Sequence, residues 1–393
     1  MKFKKIILYV TLFLLLYPSI TVANTNETPN INSRAAIVLD RATKKILYGK
    51  NENEVRKMAS TTKIMTAIVV LENSNLYDTV TISKNAALTG GSTLGIKEGD
   101  KITVCDLLYG LLLKSGNDTA VALAEHVGGS IEGFAEIMNK KSQELGLINT
   151  HFVTPHGLDN DNHFTTAYEL ALLTDYALNN QTFLNFVSTK NYAVTINGTQ
   201  KPINNTNELL GNLNGVYGVK TGFTNGANRC LVTACKRDNL DIICVVLGAD
   251  TKNFRTQDST KLIEYTYKTY QMLDVENIIN EAFSKWKQDN LSSFNISKAI
   301  SNNLNPEIKN RNFKYYPVKK EDINNIKTSI ECEYNLVSPL ESGSKIGTIF
   351  VNIDNTSVLN YDIVNTNKIE KKNCFNYTIE FLSKFFYYLT ICY

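Results

Sequence analysis

The stretch Lys57–Glu72, KMASTTKIMTAIVVLE, combines a clear helical pattern with an unusual pair of polar residues. Its apolar residues recur near a period of 3.6, which predicts a helix that begins at about Ser60. Ser60 and Lys63 lie one turn apart and therefore share a helix face. A lysine on a face that is predicted to be buried needs a chemical explanation. The apolar positions that set the period are Ile64, Ala67, Ile68 and Leu71.

Strands are predicted on both sides of this helix. Ala35–Asp40 and Lys45–Tyr48 form a candidate strand pair around a polar turn, and three β-branched runs follow at 215–224, 229–236 and 240–249. The segment between these two groups, from about Val104 to Asn179, is predicted to be mostly helical. This order of elements predicts a mixed α/β (α+β) fold, in which helices cover a sheet and also form a separate lobe.

Start and stop signals define the helices of the lobe. Thr103 is a plausible N-cap with Asp106 three residues further on, and Gly128-Gly129 is a plausible stop. A closing helix is predicted after the last strand. The predicted helices are Val104–Leu113, Asp118–Val127, a third from Ser130 to near Gly146, and Ser259–Leu273.

The first residues have the layout of a secretory signal peptide. Lys2, Lys4 and Lys5 precede an apolar run from Ile6 to Tyr17, and small residues follow up to Ala23. A retained membrane helix is the alternative, but the apolar run is shorter than the roughly 20 residues needed to span a bilayer. We therefore predict a signal segment over 1–23. Removal of this segment leaves 41 − 3 = 38 basic residues against 38 acidic ones. A chain without net positive charge argues against a nucleic-acid partner.

The composition changes after about Leu273, towards Asn, Lys and Ser with short alternating runs. We predict a first domain over 24–273 and a small C-terminal all-β domain over 275–366. The chain ends in an apolar segment, Asn376–Tyr393, with charged residues on one predicted helix face and aromatic residues on another. Two interpretations are open: the segment packs on the protein, or it lies as an interfacial helix in a membrane surface.

Three short motifs occur in an order that is typical of one group of enzymes. Ser60-Thr61-Thr62-Lys63 is S-x-x-K at a helix start, Ser115-Gly116-Asn117 is S-x-N on a loop between helices, and Lys220-Thr221-Gly222 is K-T-G on a strand. Each motif alone has an ordinary structural explanation, such as an N-cap or a turn glycine. Together, in this order and context, they are the signature of penicillin-binding proteins and class A β-lactamases.

The motifs suggest one reaction mechanism. A serine hydroxyl becomes a good nucleophile when a base removes its proton, so Ser60 is the predicted nucleophile and Lys63 the general base. Burial and a second ammonium group, that of Lys220, would both lower the pKa of Lys63 and keep its amine neutral. The remaining predicted roles are proton relay for Ser115, contact with the substrate backbone for Asn117, carboxylate binding for Lys220 and Thr221, close approach of the substrate for Gly222, and an oxyanion hole from the N–H groups of Ser60 and Phe223.

Longer stretches resemble one family within this group. The runs Ser92–Ser130, Asn149–Asp159, His163–Leu173 and Gly218–Ala227 are similar to serine-type D-alanyl-D-alanine carboxypeptidases, the low-molecular-mass penicillin-binding proteins. The resemblance covers about 33–273. It implies a β-lactamase/transpeptidase-like catalytic domain with an antiparallel sheet, a C-terminal β-sandwich, and a tail that lies on the outer face of the plasma membrane. It also implies an exported protein that acts on the cell wall.

The same resemblance implies the reaction and the ligands. The enzyme would remove the terminal D-alanine from peptidoglycan stem peptides through an acyl-enzyme on Ser60, and penicillin would inactivate it. No cofactor and no metal are implied. Two departures stand out: Asn228 replaces a common glycine after the K-T-G strand, and Asn205-Thr206-Asn207 replaces an N-R-N segment whose arginine helps to hold the terminal carboxylate in some relatives.

Two other functions are open at this point. A class A β-lactamase needs a glutamate about 35–40 residues after S-x-N, and the corresponding window, Asn149–Asp161, contains none. A non-catalytic wall-binding protein would retain the scaffold but not the intact motifs. The clustered His151, His156 and His163 match no metal-ligand spacing, and the seven scattered cysteines select no disulfide.

Overall fold

The computed structural model describes residues 28–309 and 312–391. The predicted signal segment, 1–23, lies outside these residues. Within the described residues, ten strands and eight α-helices precede residue 275. In chain order they are β1 (Ala35–Asp40), β2 (Ile46–Lys50), α1 (Lys63–Asn73), β3 (Thr79–Thr81), α2 (Lys84–Ala87), β4 (Lys101–Thr103), α3 (Val104–Leu112), α4 (Asn117–Gly128), α5 (Ile131–Glu144), α6 (Ala167–Leu178), α7 (Gln181–Ser188), β5 (Asn191–Ile196), β6 (Thr199–Asn204), β7 (Val216–Thr224), β8 (Asn228–Arg237), β9 (Leu240–Ala249), α8 (Lys252–Thr269) and β10 (Tyr270–Asp274).

The central sheet has five antiparallel strands in the order β2-β1-β9-β8-β7. Its two faces are both covered, which explains why β1 reads as a continuous apolar run. Ile37 points into the core shared with the helical lobe, whereas Val38 points into a second core that includes Leu262 of α8. Strand β7, which carries the K-T-G motif, lies at the edge of the sheet. The predicted antiparallel sheet with flanking helices and a helical lobe is therefore confirmed.

The helix signals in the lobe are confirmed as well. The N–H of Asp106 donates to the Thr103 hydroxyl at 3.1 Å, and Gly129 ends α4 in the left-handed region with φ of 72°. Two boundaries differ from the prediction. A 3-10 turn, Ala59–Thr62, precedes α1, so the α-helix begins at Lys63 rather than at Ser60. The closing helix is displaced towards the N-terminus, because its predicted last turn pairs instead as strand β10.

The C-terminal region is built mainly of short strands. Its elements are α9 (Val275–Asn290), β11 (Asn295–Ser297), β12 (Pro306–Ile308), β13 (Tyr315–Lys319), β14 (Ile326–Cys332), β15 (Asn335–Val337), β16 (Ser344–Ile353), β17 (Thr356–Asn365) and α10 (Cys374–Ile391). A four-stranded sheet in the order β12-β17-β16-β14 and the parallel pair β11-β15 bury their apolar side chains in one core. The prediction of a C-terminal all-β domain is confirmed, but it missed the helix α9, which packs Ile279 and Trp286 into that core.

Helix α10 contains most of the apolar tail that the sequence analysis singled out. Its aromatic side chains are largely exposed, with 68% of the surface of Phe381 and 61% of that of Phe386 accessible to solvent. Across the described residues, no helix combines the length and the hydrophobicity that crossing a membrane requires.

Candidate active site

Ser60 lies on the 3-10 turn that precedes α1, and two glycines make close contact with that turn. A Cβ atom at Gly157 would lie 2.0 Å from the Ala59 carbonyl oxygen, and one at Gly222 would lie 3.2 Å from the Ser60 nitrogen. Ala59 itself adopts a left-handed φ of 50°, which is uncommon for a residue with a side chain. The serine is therefore held in a tightly packed and locally strained segment, as is frequent at functional sites.

Lys63 is fully buried at the first position of α1. Its amine lies 2.9 Å from the Ser60 hydroxyl oxygen, and it donates to the Asn117 side-chain oxygen at 2.7 Å and to the His156 carbonyl oxygen at 3.2 Å. Burial, followed by the charge of Lys220, lowers the pKa of Lys63 well below its usual value. The amine is thus both adjacent to the serine and disposed to be neutral.

The S-x-N motif forms the connection between α3 and α4. Ser115 has a left-handed φ of 62° and is buried, and Asn117 is fixed by a hydrogen bond from its amide nitrogen to the Gly90 carbonyl at 2.8 Å. Within the part of the chain that the structure describes, the Ser115 hydroxyl makes no hydrogen bond to either motif lysine. The hydrogen-bond chain that a proton would follow through Ser115 is therefore incomplete in this structure.

The K-T-G motif lies on edge strand β7, opposite Ser60. Lys220 is buried, its amine donates to the Thr221 carbonyl at 3.0 Å, and burial together with the charge of Arg255 lowers its pKa to about 7. The Thr221 and Thr206 hydroxyl oxygens are 2.7 Å apart. Thr206 belongs to the segment that departs from the N-R-N pattern, so this segment does contact the motif, but through a hydroxyl instead of a guanidinium.

A cleft of about 780 Å³ joins the three motifs. Six of the eight predicted site residues line it, and the two lysines are buried behind its wall. A Cβ atom at Gly222 would crowd the Met58–Ser60 segment, so the glycine allows the strand to pack closely against the serine. The lining residues among the predicted set are Ser60, Ser115, Asn117, Thr221, Gly222 and Phe223.

The loop Thr154–His163 supports the site through hydrogen bonds to the end of β7 and to the turn that carries Ser60. The Asp159 carboxylate accepts from the Thr224 hydroxyl at 2.6 Å and from the Gly226 N–H at 2.9 Å, which fixes the loop to the end of β7. His163 pairs with the Thr62 hydroxyl at 2.8 Å. Burial lowers the pKa of His156 to about 3 and that of His163 to about 4, so both rings are neutral near neutral pH.

Several cleft residues were missed by the motif analysis. Arg229 on β8 and the group Glu208, Lys252 and Arg255 line the same cleft. They lie outside the three motifs, and no local pattern marks Glu208, Lys252 and Arg255, because only folding brings them to β7. The turn signal after K-T-G predicts the β7–β8 hairpin, and Arg229 is the second residue of β8.

The described residues contain no group of three or more His, Cys, Asp or Glu side chains that could hold a metal. The predicted histidine cluster is divided between separate contacts, since His151 bonds to the Asn162 carbonyl at 2.6 Å while His163 contacts Thr62. Six cysteines lie in the described part, all with free thiols, and Cys392 lies outside it.

A serine beside a buried lysine, facing a K-T-G strand across a cleft, defines a serine acyl-transfer site of the type found in penicillin-binding proteins. Comparison with known sequences agrees. A family profile described as D-alanyl-D-alanine carboxypeptidase matches residues 22–251, and one described as the C-terminal domain of penicillin-binding protein 5 matches residues 310–371. The chain belongs to the D-alanyl-D-alanine carboxypeptidase family.

Individual relatives cover most of the chain. It is 34% identical to the D-alanyl-D-alanine carboxypeptidase DacF of Bacillus subtilis over 82% of each protein. It is 32% identical to DacC of Escherichia coli over 94% of this chain and 92% of DacC. Among solved structures, penicillin binding protein 5 of Haemophilus influenzae is similar with a TM-score of 0.72 and 26% identity, covering 88% of this chain and 99% of that protein.

Proposed function

We propose that this protein removes the terminal D-alanine from peptidoglycan stem peptides through an acyl-enzyme intermediate on Ser60. The observation that carries this proposal is the fully buried Lys63 amine, 2.9 Å from the Ser60 hydroxyl oxygen. A buried and unpaired ammonium group would be costly, whereas a neutral amine in the same place can accept a proton. Membership of the carboxypeptidase family supports the same reaction.

In the acylation step, Lys63 takes the proton of Ser60, and the serine oxygen attacks the carbonyl carbon of the penultimate residue. The N–H groups of Ser60 and Phe223 stabilise the oxyanion. Ser115 gives its proton to the leaving nitrogen and recovers one from the Lys63 ammonium group, the C–N bond breaks, and free D-alanine departs. In a second step water attacks the ester while Lys63 takes one of its protons, the C–O bond to Ser60 breaks, the proton returns to the serine oxygen, and the shortened peptide leaves.

The proposed substrate contacts follow from the position of β7. An extended peptide can lie along this edge strand, with Asn117 on the opposite side of the cleft. Lys220 and Thr221 supply the charge and the hydroxyl for the terminal carboxylate. A penicillin would occupy the same place, because its amide and carboxylate are arranged like those of the D-Ala-D-Ala terminus, and it would acylate Ser60.

The central test is D-alanine release from diacetyl-L-Lys-D-Ala-D-Ala. Wild-type protein should release D-alanine, and Ser60→Ala should reduce release to background. Ser188→Ala is a matched control, because this serine lies on α7 and its hydroxyl only contacts the Asn185 carbonyl. Equal release by wild type and Ser60→Ala would overturn the assignment of the nucleophile.

The two competing functions give different results with benzylpenicillin. We expect slow release of the bound drug, because no glutamate occupies the expected window and both oxygens of Asp159 are engaged by Thr224 and Gly226. Rapid turnover of benzylpenicillin would favour a β-lactamase. Failure of a fluorescent penicillin to label the protein at any pH near neutral would favour a non-catalytic wall-binding protein.

We further propose that the segment 1–23 directs export of the protein and that its C-terminal tail attaches to the outer face of the plasma membrane. The support for attachment is the set of exposed aromatic side chains on α10, since a soluble surface rarely leaves so many unburied. Deleting Asn376–Tyr393 should move the protein from the membrane fraction to the soluble fraction without lowering D-alanine release. Retention of the truncated protein in washed membranes would contradict the proposed anchor.

A further inference from the structure

Arg229 occupies a distinctive place in the cleft wall. It lies on β8 directly opposite Phe223 of β7 in the antiparallel register. Its guanidinium carbon is 3.6 Å from the centre of the Phe223 ring, and both residues line the cleft. Stacking on an aromatic face holds a guanidinium in a defined position while its N–H donors remain available at the edge.

The acidic side chains of the cleft are already occupied by other partners. Glu208 forms ion pairs with Lys252 and, at 3.6 Å, with Arg255. The Asp159 carboxylate is taken up by the Thr224 hydroxyl and the Gly226 N–H. Arg229, in contrast, has no ion pair and no side-chain hydrogen bond with any residue in 28–309 or 312–391.

A second guanidinium lies close to Arg229. Arg255 is 4% exposed, lines the cleft, and has an Nε atom without a hydrogen-bond partner among the described residues. Burial is the main reason why the pKa of Arg255 is lowered, and the charge of Arg229 lowers it further. The Glu208 carboxylate pairs with Arg255 and Lys252 and not with Arg229, so this wall of the cleft has more positive than negative charge.

The register indicates which end of a substrate this charge would meet. Thr221 and Phe223 lie on the same face of β7, about 7 Å apart. The Arg229 guanidinium, stacked on Phe223, can therefore direct its N–H donors towards the space beside the Thr221 hydroxyl. In the proposed reaction the acylated carbonyl lies at the Phe223 N–H, and the leaving residue extends towards Thr221 and Ser115. The nearest substrate anion on that side is the terminal carboxylate.

We infer that Arg229 binds the terminal carboxylate of the substrate together with Thr221, and that it thereby determines selectivity for leaving groups with a free carboxylate. This inference rests on the proposed function. Arg229 is a binding residue in this scheme and takes no part in proton transfer. Thr206, which contacts Thr221 through its hydroxyl, supplies no charge, so the guanidinium on β8 provides it instead.

A pair of thiol esters isolates the relevant charge. Benzoyl-D-alanyl-thioglycolate carries a carboxylate on its leaving group, and its methyl ester lacks that charge but is otherwise the same. Hydrolysis of each ester is measured as thiol release, with full-length wild type, Arg229→Gln and Arg229→Lys. Arg229→Gln should lower kcat/KM for the charged ester by about 10- to 100-fold, the effect expected for a lost charge-assisted hydrogen bond, and should change the methyl ester by about twofold at most. Arg229→Lys should be intermediate on the charged ester.

The outcomes separate the inference from the function on which it rests. An equal loss on both esters, or no loss on either, would overturn the role of Arg229 while leaving the serine mechanism intact. A loss that depends on a carboxylate in the acyl part of the substrate would also overturn it; the test compares Nα-acetyl-Nε-glutaryl-L-Lys-D-Ala-D-Ala with diacetyl-L-Lys-D-Ala-D-Ala. If wild type and Ser60→Ala were equally inactive on both esters, the proposed function itself would fail, and the inference with it.

Discussion

The start of α1 and the tail helix α10 break opposite rules of burial. The first places a lysine, Lys63, in the interior with no exposed surface, and the second leaves aromatic side chains such as Phe381 and Phe386 mostly exposed. Charged groups are rarely buried without an ion pair, and large apolar patches are rarely left in water. Each exception has a cost for the isolated fold, so each one indicates a function that the fold does not require for its own stability.

The two exceptions differ in what completes them. Lys63 has its hydrogen-bond partners inside the protein, namely Ser60, Asn117 and the His156 carbonyl, so its environment is fixed before any substrate binds. For α10 the described residues provide no apolar surface that covers its aromatic face. The first is therefore typical of a preorganised chemical site, and the second of a surface that needs a partner.

The largest expected effect tests the buried amine directly. Lys63→Arg should lower the rate of acylation by a fluorescent penicillin by about 10³-fold, since an arginine cannot act as a base and general bases contribute about 10²- to 10⁴-fold. Lys63→Met should behave similarly without burying a charge. Lys57→Arg is the control, because Lys57 pairs with Asp161 at the surface. Normal labelling of both Lys63 variants would show that the buried amine is not the general base, and the comparison with the tail would then fail.

A second prediction concerns the exposed side of the comparison. Replacing both Phe381 and Phe385 with serine should weaken binding to phospholipid vesicles by at least about 10-fold, because each buried phenylalanine contributes roughly 1.5–3 kcal/mol. Co-sedimentation with vesicles measures the change. Phe254→Ser, at an exposed position on α8, should bind as wild type does. Unchanged binding by the double variant would mean that the aromatic face of α10 serves another purpose.

The buried histidines should make the fold sensitive to acid. Because the pKa values of His156 and His163 are about 3 and 4, the unfolded chain binds more protons than the folded one below the ordinary histidine value of about 6.5. The free energy of unfolding should therefore fall as the pH drops from 6.5 towards 4, by up to about 1.4 kcal/mol per pH unit and proton. His163→Gln should flatten this slope in urea titrations, and Ser188→Ala, which removes no titratable group, should not. A slope that is the same in all three proteins would contradict the prediction.

The smallest expected effect comes from Lys220. Its pKa of about 7 lies below the usual lysine value, so the folded state loses its proton first and stability should rise with pH between about 7 and 9. Thiols and phenols also contribute in this range, so the informative quantity is the difference between wild type and Lys220→Met. Urea unfolding at pH 7, 8 and 9 should give a less positive slope for the variant. Parallel slopes would mean that Lys220 is protonated throughout this range.

Much of the fold was predictable because its signals are local. The cap at Thr103 and the stop at Gly129 depend on neighbours in the sequence, and the structure has both. The helix α9 was missed because its apolar residues, such as Ile279 and Trp286, are sparse in a polar segment. Those few residues are sufficient in the folded protein, since they complete the core of the C-terminal sheet.

The cleft also combines residues that local sequence predicts with residues that only the tertiary structure places there. Seven candidate residues come from the three motifs and the eighth, Phe223, follows the last of them, and the structure brings all eight to one cleft or its immediate wall. Their chemical roles stay predictions until the variants are measured. Arg229 and Arg255 could not be assigned from spacing, because they reach the cleft through strand register and through the packing of α8.

The sequence by itself determined the order of helices and strands and the three motifs, because periodicity, caps and turn residues act over a few positions. Only the tertiary structure decided that the Lys63 amine is buried, that Thr224 and Gly226 occupy the Asp159 carboxylate, and that no acidic side chain among the described residues pairs with Arg229. Desolvation and charge balance depend on atoms from distant parts of the chain, and folding alone sets which of those atoms become neighbours.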